Sequence, residues 1–233
     1  FIYSKTNIFE EFINAASLAL FDYKIKSNCN GYIISLSGGA DSSCTAILIH
    51  EMVKRAINEL GEKKFLKKIN IKNLKKNYNN INSIMKKLLI TAYQKSKNSS
   101  SKTQISANKL ANFISSNHFE WSINEEIDSI ISKISKKTKQ IYNWEKDNIA
   151  MQNIQARVRS PFIWFLANTN NMLLLSTSNR SENAVGYSTM DGDTSGSISP
   201  IAGIDKVFIK KLLIYLKEKY NYNCLNNVLN LEP

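Results

Sequence analysis

The 233 residues, 43% hydrophobic and 10% aromatic, suffice for one substantial α/β domain with its own core, and length alone does not demand two. The net charge of +12 raises nucleic-acid binding, but the excess is Lys dispersed among Asn, as at Lys63, Lys64, Lys67, Lys68, Lys72, Lys75 and Lys76, with few aromatics to stack bases. No apolar run reaches membrane-spanning length and no basic-then-apolar leader precedes a cleavage site, so membranes and nucleic acid are set aside as partners and a cytoplasmic location is expected.

Three cysteines, Cys29, Cys44 and Cys224, lack C-x-x-C spacing, and His50 and His118 are the only histidines, which argues against a zinc cluster and for a reducing compartment. The chain begins at Phe1 and stops at Pro233 without a polar tail, and so reads as a piece of something longer.

In chain order, Ile8, Phe9, Phe12, Ile13, Ala16, Leu20 and Tyr23 recur at helical spacing, with Glu10 and Glu11 early and Lys24 and Lys26 late, which predicts a dipole-matched amphipathic helix over 8–26. Gly31–Leu36 reads as a short buried strand. Ser42 or Ser43 is expected to cap the next helix, whose apolar face includes Ala46, Ile49, Val53, Ala56, Ile57 and Leu60 and which Gly61 stops. Cys44 falls in its first turn, where a thiolate is favoured, but a small buried residue against the sheet is the preferred reading.

Residues 62–86 are Lys/Asn-rich with sparse apolar positions and read as a loosely helical insertion. A second strand is predicted at Lys87–Tyr93, a polar loop at 95–101, a helix around 103–116 and an alternating strand at His118–Ile123. Helices follow over about 124–139 and 147–168, then a fourth strand, Met172–Thr177, and a loop rich in Ser, Asn, Gly and Asp. Strands separated by helices imply a parallel sheet covered on both faces, with ligands beyond the strands' carboxyl ends. The polar loops 37–43, 95–101 and 177–199 are expected to converge there.

The turn Ser35-Leu36-Ser37-Gly38-Gly39-Ala40-Asp41-Ser42 joins a strand to a helix with two glycines, hydroxyls and one carboxylate. Such a loop suits phosphate, because backbone N–H groups approach closely and a helix dipole stands behind them. It matches neither the Gly-Lys-Ser/Thr nucleotide loop nor the Gly-x-Gly-x-x-Gly fingerprint. Taken alone, a phosphate cradle and a plain capped turn stand level.

Ser37-Gly38-Gly39-Ala40-Asp41-Ser42 resembles the pyrophosphate loop of ATP pyrophosphatases, which cleave ATP between its α- and β-phosphates. The later segments Gln152–Arg159 (QNIQARVR), Thr177–Asp193 (TSNRSENAVGYSTMDGD), Thr194-Ser195-Gly196 and Pro200–Lys206 (PIAGIDK) occur in family order and resemble the NAD+ synthetases, nearest the synthetase domain of the glutamine-dependent enzymes. The resemblance runs from about residue 9 to Lys206 and weakens in the insertion at about 61–87.

That resemblance implies a Rossmann-like α/β fold of the adenine nucleotide alpha hydrolase type, occupying residues 1–233 as one synthetase domain. It implies ATP-dependent amidation of deamido-NAD+ through an adenylate, releasing AMP and pyrophosphate, with Mg2+ held by Asp41 and Glu182. ATP contacts carry over to Ser35, Leu36, Ser37, Gly38, Gly39, Ala40, Asp41, Ser42, Thr177 and Lys206. Deamido-NAD+ contacts carry over to Asn153, Arg157, Glu182, Tyr187 and Asp193. Asp41, Glu182 and Lys206 form the catalytic set. A carboxylate attacking an α-phosphate needs cations more than a general base, which agrees.

Each feature also has a plainer reading: Glu182 capping a turn, Arg157 and Arg159 solvated on a helix, Gly186–Gly196 a flexible loop. The family further implies a homodimer, for which Phe162, Trp164 and Phe165 are candidate contacts unless they are core. No amidohydrolase Cys, Glu and Lys are present to make ammonia from glutamine, so this piece is expected to use free ammonia. The family continues past a Glu-Pro into a segment whose threonine helps bind ATP, and carries a C-terminal lysine, so weak or no turnover is expected in isolation. The rivals are another ATP pyrophosphatase, such as a GMP synthetase, asparagine synthetase or tRNA-modifying enzyme, and a basic RNA-binding module built on Lys63–Lys87.

Overall fold

Short apolar runs with no polar alternation need cover on both faces, and here they form the middle of a parallel sheet. A computed structural model describes residues 7–70 and 80–231. In chain order they form α1 (Ile8–Ser27), β1 (Gly31–Ser35), α2 (Ala40–Leu60), α3 (Glu62–Ile69), α4 (Ile81–Leu88), β2 (Leu89–Lys95) and α5 (Ser101–Phe113). There follow β3 (Asn117–Ser122), α6 (Asn124–Thr138), α7 (Asn148–Asn170), β4 (Met172–Leu175), α8 (Arg180–Val185), α9 (Lys206–Tyr220) and α10 (Leu225–Leu229).

The sheet order is β3-β2-β1-β4 with every pairing parallel. Ile33 stands between Ile90 and Leu174, so β1 is central, and its buried Tyr32-Ile33-Ile34 run faces apolar cover on both sides. Tyr32, Ile34 and Leu36 point into the larger core with Ile13 of α1, Ile47 of α2 and Leu212 of α9. Ile33, Ile90, Ala92 and Leu174 point the other way, onto Ile163 and Ala167 of α7. The expected α/β sheet covered on both faces is therefore present. No described helix is long and apolar enough to cross a membrane.

Several local expectations change. Gly39, not Ser42 or Ser43, is the N-cap of α2, and no side chain caps it; both serines lie buried in the first turn. Lys87 and Leu88 finish α4, so β2 starts two residues later than predicted and runs on to Lys95. The described parts of the 62–86 insertion, 62–70 and 80–86, are helical and packed rather than loose. Of their apolar residues, Phe65, Ile69, Ile84 and Met85 are buried in the main core, Leu66 and Ile81 pack against it, and Phe65 stacks on Phe21 at 6.0 Å. The buried Lys24 ammonium donates to the Ile69 carbonyl, a cation at the C-terminal end of α3. Lys72, Lys75 and Lys76 lie outside the described residues. Cys44 is buried and its thiol is pushed up to about 12 by burial and the nearby Asp41, as suits a packing residue rather than a thiolate.

Beyond Lys206, where the sequence reading stopped, α9 and α10 bury Ile209, Leu212, Leu213, Leu216 and Val228. A polar network ties α9 back to α1. Glu10 accepts from Tyr215, Tyr220 and Lys219 at 2.8, 2.7 and 2.9 Å and pairs with Arg55 at 3.0 Å. Burial pushes this carboxyl up, but the hydrogen bonds from Tyr220, Lys219, Tyr215 and Arg55 outweigh it and hold it at about 2. A second clamp fixes the loop after β1. Gly38 has φ +84°, a Cβ there would lie 2.2 Å from the Thr103 carbonyl oxygen, and Ser106 Oγ donates to the Gly38 carbonyl at 2.9 Å.

Two predictions follow from these ties. Glu10→Gln should lower the unfolding free energy by about 1.5–3 kcal/mol at neutral pH. Because the folded carboxyl sits below its ordinary 4.5, that contribution is present above pH 4.5 and lost as pH falls toward about 2. Urea titrations at several pH values should show the gap between the two proteins closing across that window; a constant gap contradicts the assignment. Gly38→Ala should cost roughly 2–4 kcal/mol, from positive-φ strain and the displaced α5 backbone. Unchanged chemical denaturation of that variant would contradict the clamp.

Candidate active site

The three polar loops meet beyond the carboxyl end of the sheet, as parallel α/β architecture requires of a site. There a cavity of about 310 Å³ is lined by Ser35, Ser37, Asp41 and Ser42 from the first loop, Ser99 and Thr103 from the second, and Thr177, Glu182, Tyr187, Asp193 and Ser195 from the third. A second cavity of about 410 Å³ lies across Asp41, lined by Gly39, Ala40, Lys102, Lys206 and Lys210 among others.

The first loop is held by its own hydroxyls. Ser37 Oγ and Ser42 Oγ are 3.0 Å apart, Gly39 N donates to Ser37 Oγ at 3.3 Å, and Ser42 Oγ donates to the Gly39 carbonyl at 3.3 Å. The uncapped start of α2 leaves its first N–H groups without intrahelical acceptors, which gives the loop a positive end. The Leu36 side chain lies in the core, so only its backbone faces the loop.

Asp41 is the hub. Its Oδ1 accepts from Asn179 Nδ2 at 3.1 Å and its Oδ2 pairs with Lys206 Nζ. Asn179, fully buried, is also the N-cap of α8. Its side chain accepts from Glu182 N at 3.0 Å, and Glu182 Oε2 accepts from Asn179 N at 3.4 Å, a capping box. Glu182 thus does cap its helix, and the cap orients its other oxygen, Oε1, 3.9 Å from Lys206 Nζ. Lys206 is fixed at the start of α9, where its N–H donates to Ser181 Oγ at 3.0 Å. Burial and the charge of Asp41 hold the Glu182 carboxyl above its ordinary range, against the pull of Lys206.

Two crowded carboxylates sharing one ammonium suit a hard dication. Among the described residues no group of three His, Cys, Asp or Glu side chains could enclose a metal.

The third loop is docked, not free. Ser176 N donates to the Ile198 carbonyl at 2.8 Å and Ser197 N to the Leu174 carbonyl at 2.7 Å, which extends the sheet edge. The Asp193 carbonyl accepts from Ser176 and Ser178 hydroxyls at 3.3 and 3.2 Å. Asn153 Oδ1 accepts from Thr189 Oγ1 at 2.9 Å, and Arg157 Nε donates to the Met190 carbonyl at 3.0 Å. Asn153 and Arg157 line neither cavity; they brace the turn that does. Tyr187 is 75% exposed at the rim. The two arginines differ: Arg157 is exposed, whereas Arg159 reaches into the cavity wall.

Sequence reasoning missed Asn179, Gln94, Thr103 and Ser160 as parts of the site. Asn179 had a signal, since an Asn three residues before a Glu marks a capping box. Gln94 and Thr103 had none, because their place depends on how β2 and α5 pack.

A model of the NAD synthase family matches residues 12–233. The chain is 29% identical over 242 residues to a glutamine-dependent NAD(+) synthetase of Drosophila melanogaster, covering 96% of this chain and 31% of that protein. The crystal structure of a glutamine-dependent NAD(+) synthetase from Cytophaga hutchinsonii superposes with a TM-score of 0.91 at 44% identity, over 97% of this chain and 40% of that one. A glutamine-dependent NAD+ synthetase from Acinetobacter baumannii, solved with adenosine diphosphate, shares the fold at a TM-score of 0.73 and 20% identity, over 98% and 37% of the two chains. The chain thus spans about a third of the length of the curated relatives it matches. With the family match covering almost its whole length, the chain belongs to the NAD synthase family.

Proposed function

We propose that this chain is the synthetase domain of a longer glutamine-dependent enzyme and converts deamido-NAD+ to NAD+ with ATP and ammonia. The observation that carries this reading is the Asp41–Lys206–Glu182 cluster at the mouth of a hydroxyl-rich, uncapped helix start. The nitrogen donor of the longer protein is glutamine, in keeping with the names of its relatives. A cytoplasmic setting suits the three free cysteines.

In the proposed reaction the nicotinate carboxylate attacks the α-phosphorus of ATP, the bond to the bridging oxygen breaks and pyrophosphate leaves. Ammonia then adds to the acyl carbon of the adenylate, sheds a proton to water and expels AMP. Ser37, Gly38, Gly39 and Ser42 enclose the pyrophosphate; Ser35, the Leu36 backbone, Ala40, Thr177 and Lys206 complete the ATP site. Asn153, Arg157, Tyr187 and Asp193 shape the dinucleotide site, the first two by fixing the 189–190 turn. Asp41 and Glu182 would hold Mg2+, which supplies charge stabilisation of the phosphates. Lys206 offsets charge that builds on the leaving group.

The homodimer proposed for the family reading has a face to use. Trp121, Pro161, Phe162, Phe165 and Leu166 line an apolar depression in which Phe165 is 69% exposed, whereas Trp164 packs toward the smaller core.

Asp41→Asn and Glu182→Gln should each reduce Mg2+-dependent pyrophosphate release in the complete protein by about 100-fold or more, with circular dichroism unchanged. Pyrophosphate release that survives in both variants refutes the metal assignment. Product from xanthosine monophosphate, but none from deamido-NAD+, would instead favour a GMP synthetase-like activity. Phe165→Glu should shift the elution of the protein from dimer to monomer; an unchanged elution volume removes that face from the interface.

A further inference from the structure

A helix N-cap asks one thing of its side chain, an oxygen that accepts from a backbone N–H of the first turn, and Ser, Thr and Asp supply it as well as Asn does. Asn179 gives that oxygen to Glu182 N at 3.0 Å, which leaves its amide nitrogen surplus to the cap. The surplus donor goes to Asp41 Oδ1 at 3.1 Å, 138 residues away in the chain. Only one orientation of the amide works here. Turned over, its oxygen would face the Asp41 carboxylate and its NH2 the Glu182 N–H, two repulsive contacts in place of two bonds.

Asn179 is wholly buried, so both ends of the amide are committed to these partners rather than to solvent. The backbone on either side is held without it. Ser178 Oγ donates to the Asp193 carbonyl at 3.2 Å, Arg180 N to the Ile204 carbonyl at 2.9 Å, and Lys206 N to Ser181 Oγ at 3.0 Å. The side chain can therefore change while the path of the chain stays.

Asn179 bonds both acidic residues of the site, Asp41 through its amide nitrogen and Glu182 through its amide oxygen and its backbone N–H. Lys206 already brings one positive charge to the pair, contacting Asp41 Oδ2 and lying 3.9 Å from Glu182 Oε1. A second cationic side chain would cancel the attraction for a metal ion. A neutral amide instead fixes the Asp41 carboxylate without neutralising it, as hydrogen-bond partners of metal-ligating carboxylates do.

We propose that Asn179 is a positioning residue for the cation site: beyond capping α8, its amide N–H holds Asp41 in register with Glu182 so that the two carboxylates bind one Mg2+ together. This rests on the proposed function for its metal and adds a residue that acts through Asp41 and Glu182.

The test separates the donor from the cap. Asn179→Ser and Asn179→Thr keep an oxygen for the cap, but their hydroxyl ends one bond short of the amide nitrogen that reaches Asp41; Asn179→Ala loses both functions. The readout is the ratio of ATP affinities of the complete protein with Mg2+ and with EDTA, measured by calorimetry without deamido-NAD+, beside a urea midpoint. Mg2+ should tighten ATP binding to the unaltered protein by at least about tenfold. That ratio should fall by about tenfold, toward one, in the Ser, Thr and Ala variants alike. Urea midpoints should follow the cap instead, with Ser and Thr near the unaltered protein and Ala lower. A ratio kept by Ser or Thr but lost in Ala, or unchanged in all three, overturns the positioning role while the amidation reading stands. A Ser or Thr variant that does not fold overturns it as well, because the fold then depends on the amide itself. Mg2+ without effect on ATP binding to the unaltered protein removes the metal assignment and this role with it. A ratio that falls as expected in a protein that forms no NAD+ from deamido-NAD+ upholds the role and removes the function.

Discussion

Asp41 needs a positive partner, and meeting that need organises the carboxyl end of the sheet. It sits in the first turn of α2, where the helix dipole favours its charge but its position at the cavity mouth keeps it partly from water. Asn179 and Lys206 answer it from two other elements, the start of α8 and the start of α9. Three helix N-termini are thereby fixed around one carboxylate. Glu182 is placed by the same contact, because the asparagine that bonds Asp41 is also the cap that turns Glu182 inward.

This arrangement depends on the sheet beneath it. Only a parallel order with β1 in the centre puts the loops after β1, β2 and β4 on one edge. The buried Tyr32-Ile33-Ile34 run of β1 enforces that centre, since either edge position would expose Ile33 or Ile34 to water. Helix α7 then covers one face and brings Asn153, Arg157 and Arg159 to the third loop. Close approach seals the joint: a Cβ at Gly192 would meet Ala156 at 2.9 Å, and one at Gly196 would meet Ser176 N at 2.4 Å. The glycines of this loop serve packing as much as turning, which distinguishes a docked loop from a flexible one.

Those distinctions explain what could be read from the sequence. Periodicity located α1, α7 and the four strands, because each has an apolar face or run long enough to show its period. It gave only a loosely helical reading for α3 and α4, where two and three buried residues are few against the surrounding Lys and Asn, yet Phe65, Ile69, Ile84, Met85 and Leu88 are all core. Capping of α2 was misjudged for a chemical reason. Serines after a Gly-Gly pair look like caps, but here Ser42 turns back into the loop to meet Ser37 Oγ and the Gly39 carbonyl, and Ser43 Oγ is buried without a partner, leaving the helix start open. Asp41 and Glu182 stand in ordered motifs that the sequence displays, whereas the places of Gln94 and Arg159 in the cavity wall come only from packing between β2 and α7.

Lys206 has two calls on one charge. In the ligand-free arrangement it neutralises Asp41, and at a few ångströms in a partly buried setting that attraction amounts to about 4 kcal/mol before desolvation is counted. A triphosphate brought against the same loop competes for the ammonium. Asp41 and Glu182 would then face each other and the phosphates with less positive charge than before. The raised Glu182 carboxyl already registers that crowding. On the proposed function, a polyphosphate here would call for another cation, and nucleotide and Mg2+ affinity would then be thermodynamically coupled through the position of Lys206.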